Sequence, residues 1–388
     1  MTSDWKECKL EKYVDFKNGK KRPDKKGAIP VYGGNGILNY TNETNYEECA
    51  IIGRVGAYCG SVYYSKGKCW VSDNAIVAKN KIESDIVFIY YLLKSLRLNQ
   101  RSIGTGQPLL TQEILNNIKI NLPPLETQRK IARVLSSIDD KIELNNSINK
   151  NLEQQAQAIF KSWFIDFESF GGTMPEDWQV GILDDIVEFS NGYAFKSSEL
   201  LNSPEGDCFD VFKQGHINRG GGFNPTGTKS WYPIDKTQGL EKYILKKGDV
   251  LMAMTDMKDN VAILGNTALM EVDNKYIVNQ RVGLLRCKND YGISYPYIYL
   301  LTNSIDFLTD LRKRANSGVQ VNLSSTEIKN SEVVIATKDI NIKFNNIVEP
   351  FFEQIFANDI ENSRLTQLRD TLLPKLMNGE IDVDKVEV

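Results

Sequence analysis

Two stretches of the chain carry apolar residues in a 4-3-4-3 rhythm. In the first, Ile131, Leu135, Ile138, Ile142, Leu152, Ala156, Ile159 and Trp163 mark a seam whose two central places hold Asn145 and Asn149. That rhythm belongs to a coiled-coil helix of about 40 residues, or about 60 Å at ~1.5 Å per residue. Pro123 and Pro124 stand just ahead of it, where proline is tolerated. The second seam runs Phe344, Val348, Phe351, Ile355, Asn358, Asn362, Leu365, Arg369, Leu372 and Leu376, the same register with the same two asparagine places. Arg369 is its weak point. Pro350 is expected to kink this helix or delay its regular part, and Pro374 to loosen its last turns. A helix with such a seam must bury it, and the simplest partner is the other seam. If the two helices run antiparallel, Asn145 faces Asn362 and Asn149 faces Asn358 in one register. Buried asparagine costs stability but fixes register and orientation; the bland alternative is a loose, solvated point in the bundle.

The remaining pattern is also duplicated. Asp4, Trp5, Leu10, Val14, Phe16, Asn18 and Gly19 recur 173 residues later as Asp177, Trp178, Leu183, Val187, Phe189, Asn191 and Gly192. "SIGTGQPLLTQEIL" (102–115) is echoed by "NSGVQVNLSSTEIK" (316–329), so the second copy carries about 41 extra residues. "CAIIGRVG", "GSVYYS", "CWVSDNAIVA", "GDVLMAM" and "YIVNQRVGLLRC" read as strands, and "IVFIYYLLKSLRLNQR" and "SYPYIYLLTNSIDFLTDLRKR" as helices. The expected class is α+β. Two mixed α/β domains stand in pseudo-twofold repeat, at 1–120 and 171–335, with helical spacers at 121–170 and 336–388. Gly171 and Gly172 form a short link.

Composition adds exclusions. The 388 residues are 41% hydrophobic and 25% charged, ordinary for a soluble globular protein. No apolar run reaches the ~18 residues of a membrane span, the first residues lack a signal-peptide core, and a cytoplasmic location is the default. Six scattered cysteines suit a reducing compartment and make a zinc site a poor reading, and the single histidine argues against a catalytic triad. There is no phosphate-binding loop, no dinucleotide fingerprint and no Asn/Asp-Pro-Pro-aromatic sequence of amino-methyltransferases. No catalytic or metal residue is singled out. The net charge of −3 hides a basic first segment: residues 1–120 hold 18 Lys+Arg against 12 Asp+Glu. This is compatible with a polyanion partner.

Candidate nucleic-acid contacts follow. Lys17, Lys20, Lys21 and Arg22 crowd one loop with Lys25 and Lys26; clustered cations displace counterions from phosphates, unless this is only a solvated loop. Glycine-rich turns bring Tyr32, Asn35, Arg54 and Asn74 in the first copy, and Lys258, Gln280 and Arg281 in the second. The Ser/Thr-Gly echoes bring Arg101, Thr105 and Gln107, then Arg314 and Gln320. Short turns let backbone amides near phosphates while Asn, Gln and Arg reach base edges, though most such turns are only turns. His216, with Lys213 and Arg219, is either an ordinary loop residue or part of the same surface.

The segment "INLPPLETQRKIARVLSSIDDKIELNN", together with "IPVYGGNGI", "IGRVGAYCGSVYY", "WVSDNAIVA", "GDVLMAMT" and "NQRVGLLR", resembles the DNA-specificity subunits of type I restriction–modification systems. The resemblance spans essentially the whole chain. The second helix departs from it, since "VIATKDINIKFNNIVEP" lacks the Leu-Pro-Pro-Leu-Glu-x-Gln opening. The resemblance implies that each globular domain reads one half of a split, asymmetric target in double-stranded DNA. It implies that the helices set the gap and dock two modification (methyltransferase) subunits, and restriction (translocase/nuclease) subunits where encoded. The chain itself is then non-catalytic and without cofactor, S-adenosylmethionine and ATP with Mg belonging to the partners, and no membrane is involved. Docking candidates on the outward helix faces are Gln128, Arg129, Arg133, Asp140, Gln154, Gln155 and Phe160, with Asn346, Glu353, Gln367 and Leu373; core packing is the alternative for Phe160 and Leu373. A self-contained methyltransferase or nuclease, and a coiled-coil scaffold without a DNA role, are the competing readings.

Overall fold

A computed structural model describes residues 4–104, 106–257, 261–288, 290–317 and 320–386. The chain divides into two compact units. Unit 1 joins Met1–Asn146 to Asp359–Val388, and unit 2 is Ser147–Asn358. Each long helix is shared between the units at its middle, each half packing on the globular part of its own unit.

Unit 1 contains β1 (Lys6–Lys9), β2 (Val14–Asn18), β3 (Ile29–Gly33), β4 (Gly36–Thr41), β5 (Tyr46–Gly53), β6 (Val62–Val71) and β7 (Ala75–Asn80). Then follow α1 (Ile86–Ser95), α2 (Gln112–Asn116), β8 (Lys119–Leu122) and the first half of α3 (Leu125–Phe164). Strands β2 to β7 form one sheet in the order β2-β7-β5-β6-β3-β4, antiparallel except for the β3–β6 pair. Strand β5 sits inside the sheet and is apolar on both faces. Ala50 and Ile52 join the main core with Phe88, Ile89 and Leu93 of α1, while Cys49 and Ile51 join a smaller core with Cys69, Val71 and Val77. The period of two in a strand produces this division. Helix α1 starts where the Asp85 carboxylate accepts from the Phe88 N–H at 2.9 Å.

Unit 2 contains β9 (Gln179–Ile182), α4 (Leu183–Ile186), β10 (Val187–Asn191), β11 (Cys208–Phe212), β12 (Trp231–Pro233), β13 (Val250–Ala253), β14 (Thr255–Met257), β15 (Thr267–Leu269), β16 (Tyr276–Val278) and β17 (Val282–Cys287). It continues with α5 (Tyr295–Thr302), α6 (Ile305–Lys313), β18 (Asn316–Ser317), β19 (Gln320–Asn322), α7 (Ser325–Lys329), β20 (Glu332–Ile335) and the first half of α8 (Lys338–Met377). The single helix expected over "SYPYIYLLTNSIDFLTDLRKR" is two, because the Ser304 hydroxyl caps a new start by accepting from the Phe307 N–H at 3.4 Å.

Backbone bonds establish the repeat station by station. Gly19 donates to Ala75 O at 3.0 Å and Gly192 to Val282 O at 3.0 Å. Leu110 donates to Arg54 O and Leu323 to Met254 O, both at 2.9 Å. At the first station only glycine fits: a Cβ on Gly19 would stand 2.0 Å from Ser72 O, and one on Gly192 2.3 Å from Asn279 O. The extra residues of the second copy are not one insertion. The offset is 173 at Gly19/Gly192, 180 at Tyr32/Phe212, 207 at Asn74/Arg281 and 213 at Leu110/Leu323, so length was added in several loops between fixed stations.

The helix seams meet antiparallel within each unit. In unit 1, Asn145, 1% exposed, donates to Asn362 Oδ1 at 3.0 Å and to Glu361 at 2.7 Å. In unit 2, Asn358 donates to Asn149 Oδ1 at 2.7 Å, and Trp163 lies 5.9 Å from Phe344 between ring centroids. Arg369, the weak point of the seam, is held by Asp139 at 2.7 Å, which also accepts from the Tyr91 hydroxyl at 2.7 Å. Burial disfavours the Arg369 charge, but the bonds to Asp139 and Asp370 outweigh it and raise its pKa. Helix α8 runs from Lys338 to Met377 through Pro350 and Pro374, so Pro350 does not delay its regular part. Pro350 is exposed, and the carbonyl it leaves without a donor belongs to Asn346, itself exposed. No helix among the described residues is long and apolar enough to cross a membrane.

Candidate nucleic-acid interface

In unit 1, segments far apart in sequence converge at the ends of β3, β5 and β6. The Arg54 N–H donates to Asn74 O at 3.0 Å, its carbonyl accepts from Leu110 at 2.9 Å, and Gly56 donates to Pro108 O at 3.0 Å. Ile103 and Leu109 bridge to each other. The β3–β4 turn stands against the same place, Gly34 lying beside the Asn74 carbonyl. This cluster presents Asn35, Asn74 and Gln107 to solvent and holds Arg54 partly buried. It also exposes Tyr58 and Ile103, at 54% and 55%, which sequence reasoning missed. Their signal was two large apolar groups inside glycine-rich segments otherwise read as polar turns.

Beside it, Lys20 is anchored to the sheet through its N–H to Val71 O at 3.0 Å. Lys20, Lys21 and Arg22 are exposed and form no ion pair among the described residues. Lys17 differs: it is paired with Asp15 at 2.8 Å, which raises its pKa through that bond. Tyr32 is half-buried against the smaller core, and burial raises its pKa. Arg101 is exposed and donates through Nε to Leu96 O at 3.2 Å.

In unit 2 the matching turns present Gln280 and Arg281, both exposed, and Arg219 on a loop with Gly220–Gly222. Lys213 is intermediate in exposure. His216 is removed from the candidate surface. It is 2% exposed, accepts from the Lys213 N–H at 3.0 Å and stacks among Phe212, Phe223 and Tyr276. Burial lowers its pKa, which favours the neutral ring. Arg314 is likewise consumed internally, by Glu327 O at 2.8 Å, Ser331 at 2.9 Å and Asp310 at 2.6 Å. Thr105 and Lys258 lie outside the described residues, as does the Gln320 side chain.

The helix candidates separate by exposure. Arg129, Arg133, Asp140, Gln154, Gln155, Asn346 and Gln367 are exposed, Asp140 being tied to Lys66 at 2.7 Å. Leu144, Ile148 and Leu368 add exposed apolar groups to the same helices. Four of the proposed docking residues are not on a free face. Gln128 is fully buried, donating to Pro123 O at 2.9 Å and accepting from Asp85 N–H at 3.0 Å, so it ties the helix start to the chain before α1. Phe160 is 3% exposed and meets Tyr297 edge-on at 5.3 Å. Leu373 packs on the unit 1 core, and Glu353 binds the Tyr295 hydroxyl at 2.8 Å as well as Lys247. Each side chain meets an element that its own helical period does not reveal.

A family model described as the type I restriction modification DNA specificity domain matches residues 2–154 and 175–369. The specificity subunit of the type I restriction enzyme HindI of Haemophilus influenzae is 27% identical over 330 residues, 71% of this chain and 71% of its own. The MjaVIII specificity subunit of Methanocaldococcus jannaschii is 31% identical over 274 residues, 66% of this chain and 61% of its own. A crystal structure of a type I restriction–modification S subunit from M. genitalium covers 96% of both chains with TM-score 0.64 and 20% identity, a likeness of fold.

Proposed function

Because the chain belongs to the type I restriction–modification DNA-specificity family, we propose that its two globular parts each read one half of a split, asymmetric DNA target and that the paired helices set the gap. The observation that carries this is one backbone framework built twice with different side chains at its loop stations: Arg54 and Asn74 in unit 1, Met254 and Arg281 in unit 2. Equivalent frames approach DNA in equivalent ways, and unlike side chains read unlike bases. The free cations Lys20, Lys21 and Arg22 supply sequence-independent phosphate contact.

The chain itself is non-catalytic in this reading and acts in the cytoplasm. Adenine methylation, with S-adenosylmethionine, belongs to two modification subunits docked on the exposed helix residues Arg129, Arg133, Gln154, Gln155, Asn346 and Gln367. Restriction subunits, where encoded, bring ATP and Mg.

The test is adenine-methylation mapping by single-molecule sequencing. Cells expressing the chain with a modification subunit encoded nearby are compared with cells lacking only the chain. A split motif dependent on the chain is the expected result. No motif, with an active and assembled partner, would sink the reading.

A further inference from the structure

Five arginines among the described residues are partly buried, and four have their guanidinium occupied. Arg286 binds Asp249 at 2.7 and 2.8 Å, Arg312 binds Leu264 O at 2.9 Å, Arg314 binds Glu327 O at 2.8 Å, and Arg369 binds Asp139 at 2.7 Å. Arg54 is the fifth. Its Nε, like that of Arg314, is shut off from solvent with no hydrogen-bond partner; but where Arg314 is held through its other two nitrogens, the Arg54 side chain makes no ion pair among the described residues. Burying a donor on a charged group without an acceptor is costly, so a fold that keeps one calls for an explanation. We infer that Arg54 reads a guanine edge in the half-site recognised by unit 1; the inference rests on the DNA-reading function proposed above.

Three observations favour a base over a phosphate. First, Arg54 is fixed. Its N–H is bound to Asn74 O at 3.0 Å and its carbonyl receives Leu110 N–H at 2.9 Å and the Cys59 thiol at 3.2 Å. A backbone fixed in this way sets where the side chain starts, and the planar guanidinium fork suits a defined acceptor pair. Second, its partly buried place among the loops contrasts with the exposed Lys20, Lys21 and Arg22, which serve phosphates at less cost. Guanine offers N7 and O6 side by side in the major groove, the acceptor pair that a guanidinium fork matches. Third, the equivalent station in unit 2 holds Met254, 7% exposed and packed in that unit's core. The frame therefore does not need arginine there, and the residue is free to specify.

The experiment uses the full chain in complex with its modification subunit. Methylation is mapped for the parent chain, Arg54→Gln and Arg54→Lys, with co-elution and melting temperature checking assembly and folding. Arg54→Gln is expected to relax discrimination by about 10- to 100-fold at one G·C position of one half-site, leaving the other half and the gap unchanged. Arg54→Lys keeps the charge without the fork, so it should also relax that position, by less, and it carries the test if the glutamine variant fails to assemble. Uniformly weaker methylation of an unchanged motif would make Arg54 a phosphate contact and overturn the inference; an unchanged methylome would overturn it too. A parent chain directing no motif would instead sink the wider reading together with this one.

Discussion

The two units solve one packing problem with opposite chemistry. Where unit 1 sets Asp139 against Arg369 in its helix seam, the repeat puts Phe352 and Ala156 in unit 2, both buried in the core. The seam position is thus defined by geometry and not by polarity. The same holds at the loops, where Arg54 and Met254 share a backbone station. What cannot vary is the close approach at Gly19 and Gly192. The difference teaches which positions are scaffold and which are free to carry specificity.

The largest effect that tests this division is at the glycines. Gly19→Ala is expected to destabilise unit 1 by on the order of 3 kcal/mol, since the new Cβ meets a backbone carbonyl that cannot step aside. Gly192→Ala should do the same to unit 2. Hydrogen exchange read by mass spectrometry should show each loss confined to its own unit; equal loosening of both by either variant would dissolve the distinction. Next, Asp139→Leu alone should cost about 2 kcal/mol by leaving Tyr91 without its acceptor and Arg369 with Asp370 alone. Adding Arg369→Leu and Tyr91→Phe should recover most of it, as an apolar seam serves unit 2; denaturant melts decide, and no recovery would mean that unit 1 needs its ion pair. The smallest effect concerns His216, the one histidine, which lies in unit 2. Its folded pKa is lowered by burial, so the unfolded chain takes up its proton first. Stability is then intact above the unfolded pKa of about 6.5 and falls as pH drops through it towards the lower folded value, by at most about 1.4 kcal/mol per pH unit. His216→Phe should remove that part of the slope in unit 2 melts and leave unit 1 unaffected. An unaltered slope would place the ring in a less costly environment.

Much of this architecture was legible in the chain. The seams and their asparagines announce themselves by spacing, because a helix converts sequence period directly into a face. Asn145 and Asn362 lie within hydrogen-bonding distance for the same reason. The limits have the same origin. Phe160 and Leu373 fall off the seam and look outward by period, yet each packs on a third element; Gln128 stands three residues before Ile131, in register with the seam, and is buried as that register requires. His216 is buried by residues 212, 223 and 276, which no local pattern links. By sequence Pro350 is expected to kink the helix or delay its regular part; the helix is already regular before it, and the carbonyl that Pro350 orphans lies on the exposed Asn346. The candidate site was half visible: Arg54 and Asn74 stood out as turn residues, but that the Arg54 Nε is buried without a partner among the described residues emerges only when the chain at 54, 74 and 110 is brought together.

One consequence concerns synthesis. Unit 2 is a single run of chain, whereas the core of unit 1 includes Leu376, Met377 and Val383, and Lys130 is bound to Asp384 at 2.8 Å. On a ribosome adding about 5–20 residues per second, unit 2 has all its parts first, although it begins later. The amino-terminal half waits with an open apolar face until the strand of polypeptide that closes it emerges. During that interval it is the part of the nascent protein most in need of a chaperone, and a pause in translation beyond residue 358 would lengthen its exposure.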